Sequence, residues 1–87
     1  MLVRYFAAAA AATGIDEEHV ETTTVVTRTD LEQLLVTRHP VAPAGERTLA
    51  QVLPQCSLLV DGVATRDPSA PLAPGATVDV LPPFAGG

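Results

Sequence analysis

The sequence predicts an α+β domain, one layer of strands covered by one main helix. Three observations carry that reading. Near each end, residues 2–6 and 77–81 fall into two alternating sets, one of them apolar, which is strand periodicity. Between them, Leu31, Leu34 and Leu35 recur at helical spacing behind a capping sequence. Asp61-Gly62, set between Val60 and Val63, is a hairpin turn, because both residues tolerate positive φ. The 87 residues suffice for a single domain, and 47% apolar content allows a core. At 3% aromatic residues, Leu, Val and Ala must fill it.

In chain order, residues 2–6 read as a strand with Leu2, Arg4 and Phe6 on one face and Val3 and Tyr5 on the other. Arg4 marks the first face as the solvent face, so Phe6 is expected to point outward. The alanine run places a short helix over residues 7–13, closed by Gly14 in the left-handed conformation. The β-branched stretch 19–25 reads as a second strand paired with the first. Thr29-Asp30-Leu31-Glu32 has the form of a capping box, Thr29 capping and Glu32 reaching back. The helix it opens ends near Arg38, ahead of His39-Pro40.

Residues 41–46 are a loop. Thr48 and Gln51 frame a second capping box, with Leu49, Val52 and Leu53 on one stripe until Pro54. Strands follow at 57–60 and 63–65, then a loop over 67–71. Pro74-Gly75 suits a type II turn, with Gly75 at positive φ. In the last strand Val78 and Val80 point inward, and Thr77, Asp79 and Leu81 outward. No internal repeat is present.

Composition excludes several classes. Net charge is −5, and all five basic residues are Arg. Nucleic acid is not an expected partner, since phosphate binding needs clustered cations; a basic surface on a protein is. Cys56 is the single cysteine, with no neighbouring metal-ligand spacing, and reads as an inert buried thiol. No apolar run approaches the roughly 20 residues of a membrane span. The apolar part ahead of the six alanines is too short for a secretory signal; a cytoplasmic location is expected. His19 and His39 lack nucleophile partners, so no metal and no self-contained catalytic site is expected. Asp16-Glu17-Glu18 with Glu21 reads as a solvated turn open to basic groups on a partner.

The chain closes in Pro82-Pro83-Phe84-Ala85-Gly86-Gly87. A bare terminal Gly-Gly is common in frayed ends. Here a stiff diproline launches it, and the outward Phe6 and Leu81 would share a patch if the first and last strands are neighbours. Glycines at 86 and 87 can thread a channel that admits no side chain. Residues 83–87 reach about 15–18 Å when extended. The division is therefore a domain over 1–83 and a flexible tail over 84–87. The tail presents the Gly87 carboxylate, which must be activated before it can donate an acyl group. The chain has neither a GxxxxGK[ST] nor a GxGxxG phosphate loop, so ATP would be handled by a partner.

Residues 58–87, with PP-x-x-GG after a strand, resemble the small, sulfur-carrying subunit of molybdopterin synthase. So does the opening VRYFAAAAAATG. The resemblance spans nearly the whole chain and is weakest over residues 41–55. It implies a ubiquitin-like β-grasp fold, with a mixed sheet of about five strands whose first and last members are adjacent. It further implies that an adenylating enzyme of the ubiquitin-activating type uses ATP on Gly87. The carboxylate then becomes a thiocarboxylate, and the tail enters the large catalytic subunit, which passes the sulfur to a pyranopterin precursor. The small subunit is not an enzyme alone and binds no cofactor. Two carriers flank a dimer of large subunits in such a heterotetramer.

By the same resemblance, Phe6, Ala64, Leu81, Pro82 and Pro83 form the docking face, and Phe84, Ala85 and Gly86 the inserted tail. The chain departs from the family in its nearly all-alanine first helix, in Phe84 where a smaller aliphatic is common, and in Ala64 where a bulkier residue is common. The alternatives are a sulfur carrier for thiamine or cysteine synthesis, a protein modifier attached through Gly87, and a binding module with no tail chemistry.

Overall fold

The computed structural model describes residues 1–22 and 26–83. The elements are β1 (Leu2–Tyr5), α1 (Ala8–Thr13), β2 (Glu17–His19), β3 (Val26–Thr27), α2 (Arg28–Arg38), α3 (Leu49–Val52), a 3-10 turn (Leu53–Gln55), β4 (Ser57–Val60), β5 (Val63–Ala64), β6 (Pro71–Leu72) and β7 (Thr77–Leu81). Five strands form one sheet in the order β2-β1-β7-β4-β5. β1 and β7 run parallel at its centre, and the other pairs are antiparallel. A parallel pair demands a crossover, and here the crossover is the rest of the chain. β3 and β6 form a separate two-stranded ribbon.

The sheet's inner face supplies Val3, Tyr5, Leu58, Val78 and Val80 to the core. Leu31 and Leu35 of α2, Leu49 and Val52 of α3, and Ala9 and Ala12 of α1 meet them. The alternation assigned to both terminal strands therefore holds. Asp61 (φ 49°) and Gly62 (φ 83°) make the expected hairpin turn, and Gly14 (φ 77°) closes α1. The Thr48–Gln51 capping box forms as read. Among the described residues no helix is long and apolar enough to cross a membrane.

Several local expectations are corrected. The second strand is Glu17–His19 instead of 19–25. Its register, Leu2↔His19 and Arg4↔Glu17, is set by how soon the chain returns past β1 after the short α1. Val20 then turns into the core, and residues 23–25 of the expected strand lie outside the described residues. Helix α1 begins at Ala8 because Ala7 takes φ 50°, a left-handed kink between strand and helix. The cap of α2 is Thr27, not Thr29. Thr27 Oγ1 accepts from Asp30 N at 3.2 Å, and Asp30 Oδ2 accepts from Thr27 N at 3.4 Å. β3 holds Thr27 extended, which a cap requires. Thr29 donates instead to Pro68 O at 2.9 Å, and Glu32 pairs with Arg28 at 2.7 Å.

Leu34 leaves the expected stripe. It is 38% exposed, whereas Leu31 and Leu35 are fully buried. Helix α3 packs on the flank of α2 that carries Val36, opposite Leu34. Residues 71–72, the first of them read as loop, form β6. Pro74-Gly75 does make a turn, with Ala76 N donating to Ala73 O at 3.0 Å. Gly75 is not at positive φ, however, so the turn is not type II. β5 stops at Ala64, although Thr65 N still donates to Leu58 O at 2.9 Å.

A half-buried polar cluster ties β1, β2 and the end of α2 together. Glu18 accepts from Tyr5 Oη at 2.6 Å and Arg38 Nη1 at 2.9 Å, and lies 2.5 Å from His39 Nε2. The Tyr5 and His39 rings meet edge to face. Burial opposes ionisation of Glu18, but the bonds from Tyr5, His39 and Arg38 outweigh it and hold the carboxyl below its ordinary range. Burial, then the bond to Glu18, push the Tyr5 hydroxyl upward.

A carboxylate favoured by the fold stabilises fully above its unfolded pKa of about 4.3, and that contribution is lost as pH falls through the lower folded value. Glu18→Gln should therefore lose about 1–3 kcal/mol at neutral pH. Urea titrations from pH 7 to pH 3 should show its gap from the parent shrinking below the ordinary Glu range. A gap that stays constant with pH would remove the charge from this account.

Candidate functional site

The site begins where β7 leaves the sheet. Parallel pairing aligns Tyr5 with Val80, and Phe6 N donates to Val80 O at 3.2 Å. The next residues in register, Phe6 and Leu81, are therefore side by side on the outer face. Phe6 is 40% exposed, and Leu81 is half-buried. Tyr5 N donates to Asp16 O at 2.7 Å, bringing the exposed Ile15 to the same end. Pro82 is half-buried and Pro83 exposed, directly beyond this apolar end.

Ala64 is on the same face but further off. It pairs with Leu59, and Leu59 with Asp79, so Ala64 belongs to the neighbouring row, two strands from β7. Phe84, Ala85, Gly86 and Gly87 lie outside the described residues.

One feature of this face was not read from the sequence. Arg4 Nε and Nη2 donate to Asp79 Oδ1 and Oδ2 at 2.6 and 2.9 Å. The fork satisfies both oxygens, as guanidinium and carboxylate geometry favours. Asp79's hydrogen bond, then its charge, raise the Arg4 pKa. The outward parity of both residues was visible, but only the β1–β7 register shows that they meet.

The remaining candidates for chemistry are closed. Cys56 is buried and donates to Val52 O at 3.4 Å. Burial, then the charge of Glu32, push its thiol up to about 11, leaving little thiolate at neutral pH. Among the described residues no group of His, Cys, Asp or Glu could hold a metal ion. The described face thus places the apolar Phe6 and Leu81 beside the point where residues 82–83 leave the sheet.

A mixed five-stranded sheet with its first and last strands parallel at the centre, crossed by one main helix, is the ubiquitin-like β-grasp fold. The family model described as "ThiS family" matches residues 3–87, and the chain belongs to that family of small ubiquitin-like sulfur carriers. A search of curated proteins finds no match.

Solved structures share the fold at low identity. A putative molybdopterin converting factor, subunit 1, from Pyrococcus furiosus aligns with TM-score 0.71 and 22% identity over 95% of each chain. SAMP1 from Haloferax volcanii gives 0.72 and 24%, over 99% of this chain and 97% of that one. The HVO 2177 protein of Haloferax volcanii gives 0.74 and 23%, over 99% and 84%.

Proposed function

We propose that this carrier delivers sulfur to molybdopterin synthesis through Gly87. A partner enzyme of the ubiquitin-activating type would join the Gly87 carboxylate to the AMP portion of ATP, releasing pyrophosphate. A sulfur nucleophile at the hydrosulfide level would then displace AMP and leave a thiocarboxylate. The tail would enter the large catalytic subunit of molybdopterin synthase, where the sulfur passes to the pyranopterin precursor. Hydrolysis of the resulting acyl link would return the carboxylate. The carrier's own part is to dock and to reach.

The observation that carries this reading is the pairing of Phe6 with Leu81 immediately before Pro82-Pro83. It gives the body an apolar hold at the point from which the tail departs, so docking can aim residues 84–87 into a partner's channel. The PP-x-x-GG ending supports molybdopterin over the sister pathways, and one structure of the same fold is a putative molybdopterin converting factor subunit.

Reconstitution tests it. Incubation with the adenylating enzyme, ATP and a sulfur donor should replace one oxygen at Gly87 by sulfur in the intact mass. That product, with the large subunit and precursor, should yield molybdopterin. Persistent failure to form the thiocarboxylate would reject the carrier chemistry. A thiocarboxylate that restores only thiamine or cysteine synthesis would reject the pathway.

A further inference from the structure

The chain contains no lysine; all five of its basic residues are Arg. An amine that attacks an activated acyl group forms an amide, which does not hydrolyse back as an ester or an acylimidazole does. A guanidinium stays protonated and has no lone pair with which to attack. The α-amino group of Met1 is engaged, donating to Val20 O at 3.0 Å while Val20 N donates to Met1 O at 2.8 Å. Because β1 and β7 run parallel, that amine also stands at the end of the sheet opposite to Pro82. The Cys56 thiol is buried and bonded to Val52 O. Four of the arginines have partners that account for them. Arg4 forks onto Asp79, Arg28 bridges Glu32 and Thr65 O, Arg38 bridges Glu18 and His19 O, and Arg47 donates to Gln51 O. Arg66 is exposed and makes no hydrogen bond or ion pair among the described residues, so no contact there calls for a guanidinium over an ammonium. Thr65 N donates to Leu58 O, Leu58 pairs with Val80, and Ser57 pairs with Leu81. Arg66 and Ser57 line one hollow at this end of the sheet. Arg66 therefore stands two strands, about 10 Å, from β7 at the end where residues 82–83 leave it. An extended segment over residues 83–87 spans about 15–18 Å, which brings position 66 within reach of the Gly87 carbonyl carbon.

We infer that Arg66 is a specificity-determining residue: a cation without a nucleophile, set within the tail's reach, it denies the activated Gly87 acyl group an acceptor on the carrier itself. The group then passes only to a partner. The inference rests on the reading of Gly87 as the activated group. A lysine at position 66 would make the side reaction intramolecular. Its free amine would attack the Gly87 carbonyl carbon, forming a C–N bond as the C–O bond to AMP breaks. AMP would leave with the bonding pair, and the surplus proton on nitrogen would pass to water. Two groups held on one chain react far faster than the same groups on separate molecules. The product, a loop closed through position 66, has no terminal carboxylate left to activate.

The test uses the full chain carrying a thioester of a simple alkyl thiol at Gly87, so that it needs no activating enzyme; the thiol takes the place of AMP as leaving group. The protein is held dilute at mildly alkaline pH and followed by intact mass. Arg66→Lys should lose its thioester about tenfold or more faster than the parent, giving a product one water lighter than the free acid. Its rate should not depend on protein concentration, and peptide mapping should place the new amide between position 66 and Gly87. Arg66→Gln, which removes the charge without adding an amine, should match the parent. Thermal unfolding of both variants should match the parent as well. Thioester loss from Arg66→Lys at the parent's rate would overturn the inference, and so would a parent that forms a product one water lighter equally fast. Either result leaves the carrier chemistry to the reconstitution above. Failure of the parent to form the thiocarboxylate in that reconstitution would overturn the carrier reading and this inference with it.

Discussion

Removal of Gly86 and Gly87 is expected to abolish sulfur delivery completely while leaving the unfolding curve unchanged. The physical reason is the separation of the two roles along the chain. Val78 and Val80 close the core, and the ladder with β4 ends at the pair Ser57↔Leu81. Beyond Pro83 the chain is assigned to reach, and truncation removes the reacting carboxylate together with the two residues able to pass a narrow channel. A shortened chain would end in Ala85, whose carboxylate is two residues short of the reaction site. The check is product formation by the reconstituted synthase beside a urea titration of the same protein. Full product formation with the shortened chain would remove Gly87 as the group that carries the sulfur.

The second large effect concerns the core. Leu31→Ala is expected to cost about 2–5 kcal/mol, the usual range for a buried leucine. Against a total stability of about 5–15 kcal/mol, that would leave a thin-cored domain close to unfolding at physiological temperature. Leu34→Ala, three residues on, should cost less than about 1 kcal/mol, because its side chain is 38% exposed and leaves little cavity. Equilibrium denaturation of both variants measures the contrast. Equal losses would mean that α2 presents the wider stripe expected from sequence. The contrast matters for function as well, since α2 supports the face of the sheet opposite Phe6 and Leu81.

These comparisons show where local reading succeeds. The Asp61-Gly62 turn, the Gly14 cap and the alternation in β1 and β7 are legible because steric and periodic rules act over a few residues. The start of α2 was displaced by two residues because two threonines compete to cap it. The choice falls to Thr27 through its pairing with Pro71, far along the chain. The second strand was displaced for a similar reason. Pairing with β1 overrides the β-branched preference of the residues that follow. The Glu18 cluster joins Tyr5 of β1 to His39 after α2 and left no local trace.

For the candidate site, the residues alone supply the diproline, the Gly-Gly ending and the outward parity of Phe6, Arg4, Asp79 and Leu81. Those are properties of single strands and of backbone freedom, so a linear pattern can hold them. Tertiary contacts alone bring Phe6 beside Leu81 and pair Arg4 with Asp79 across 75 residues of chain. Strand adjacency is selected by how the whole core packs under the sheet, a global free-energy balance that no local periodicity encodes.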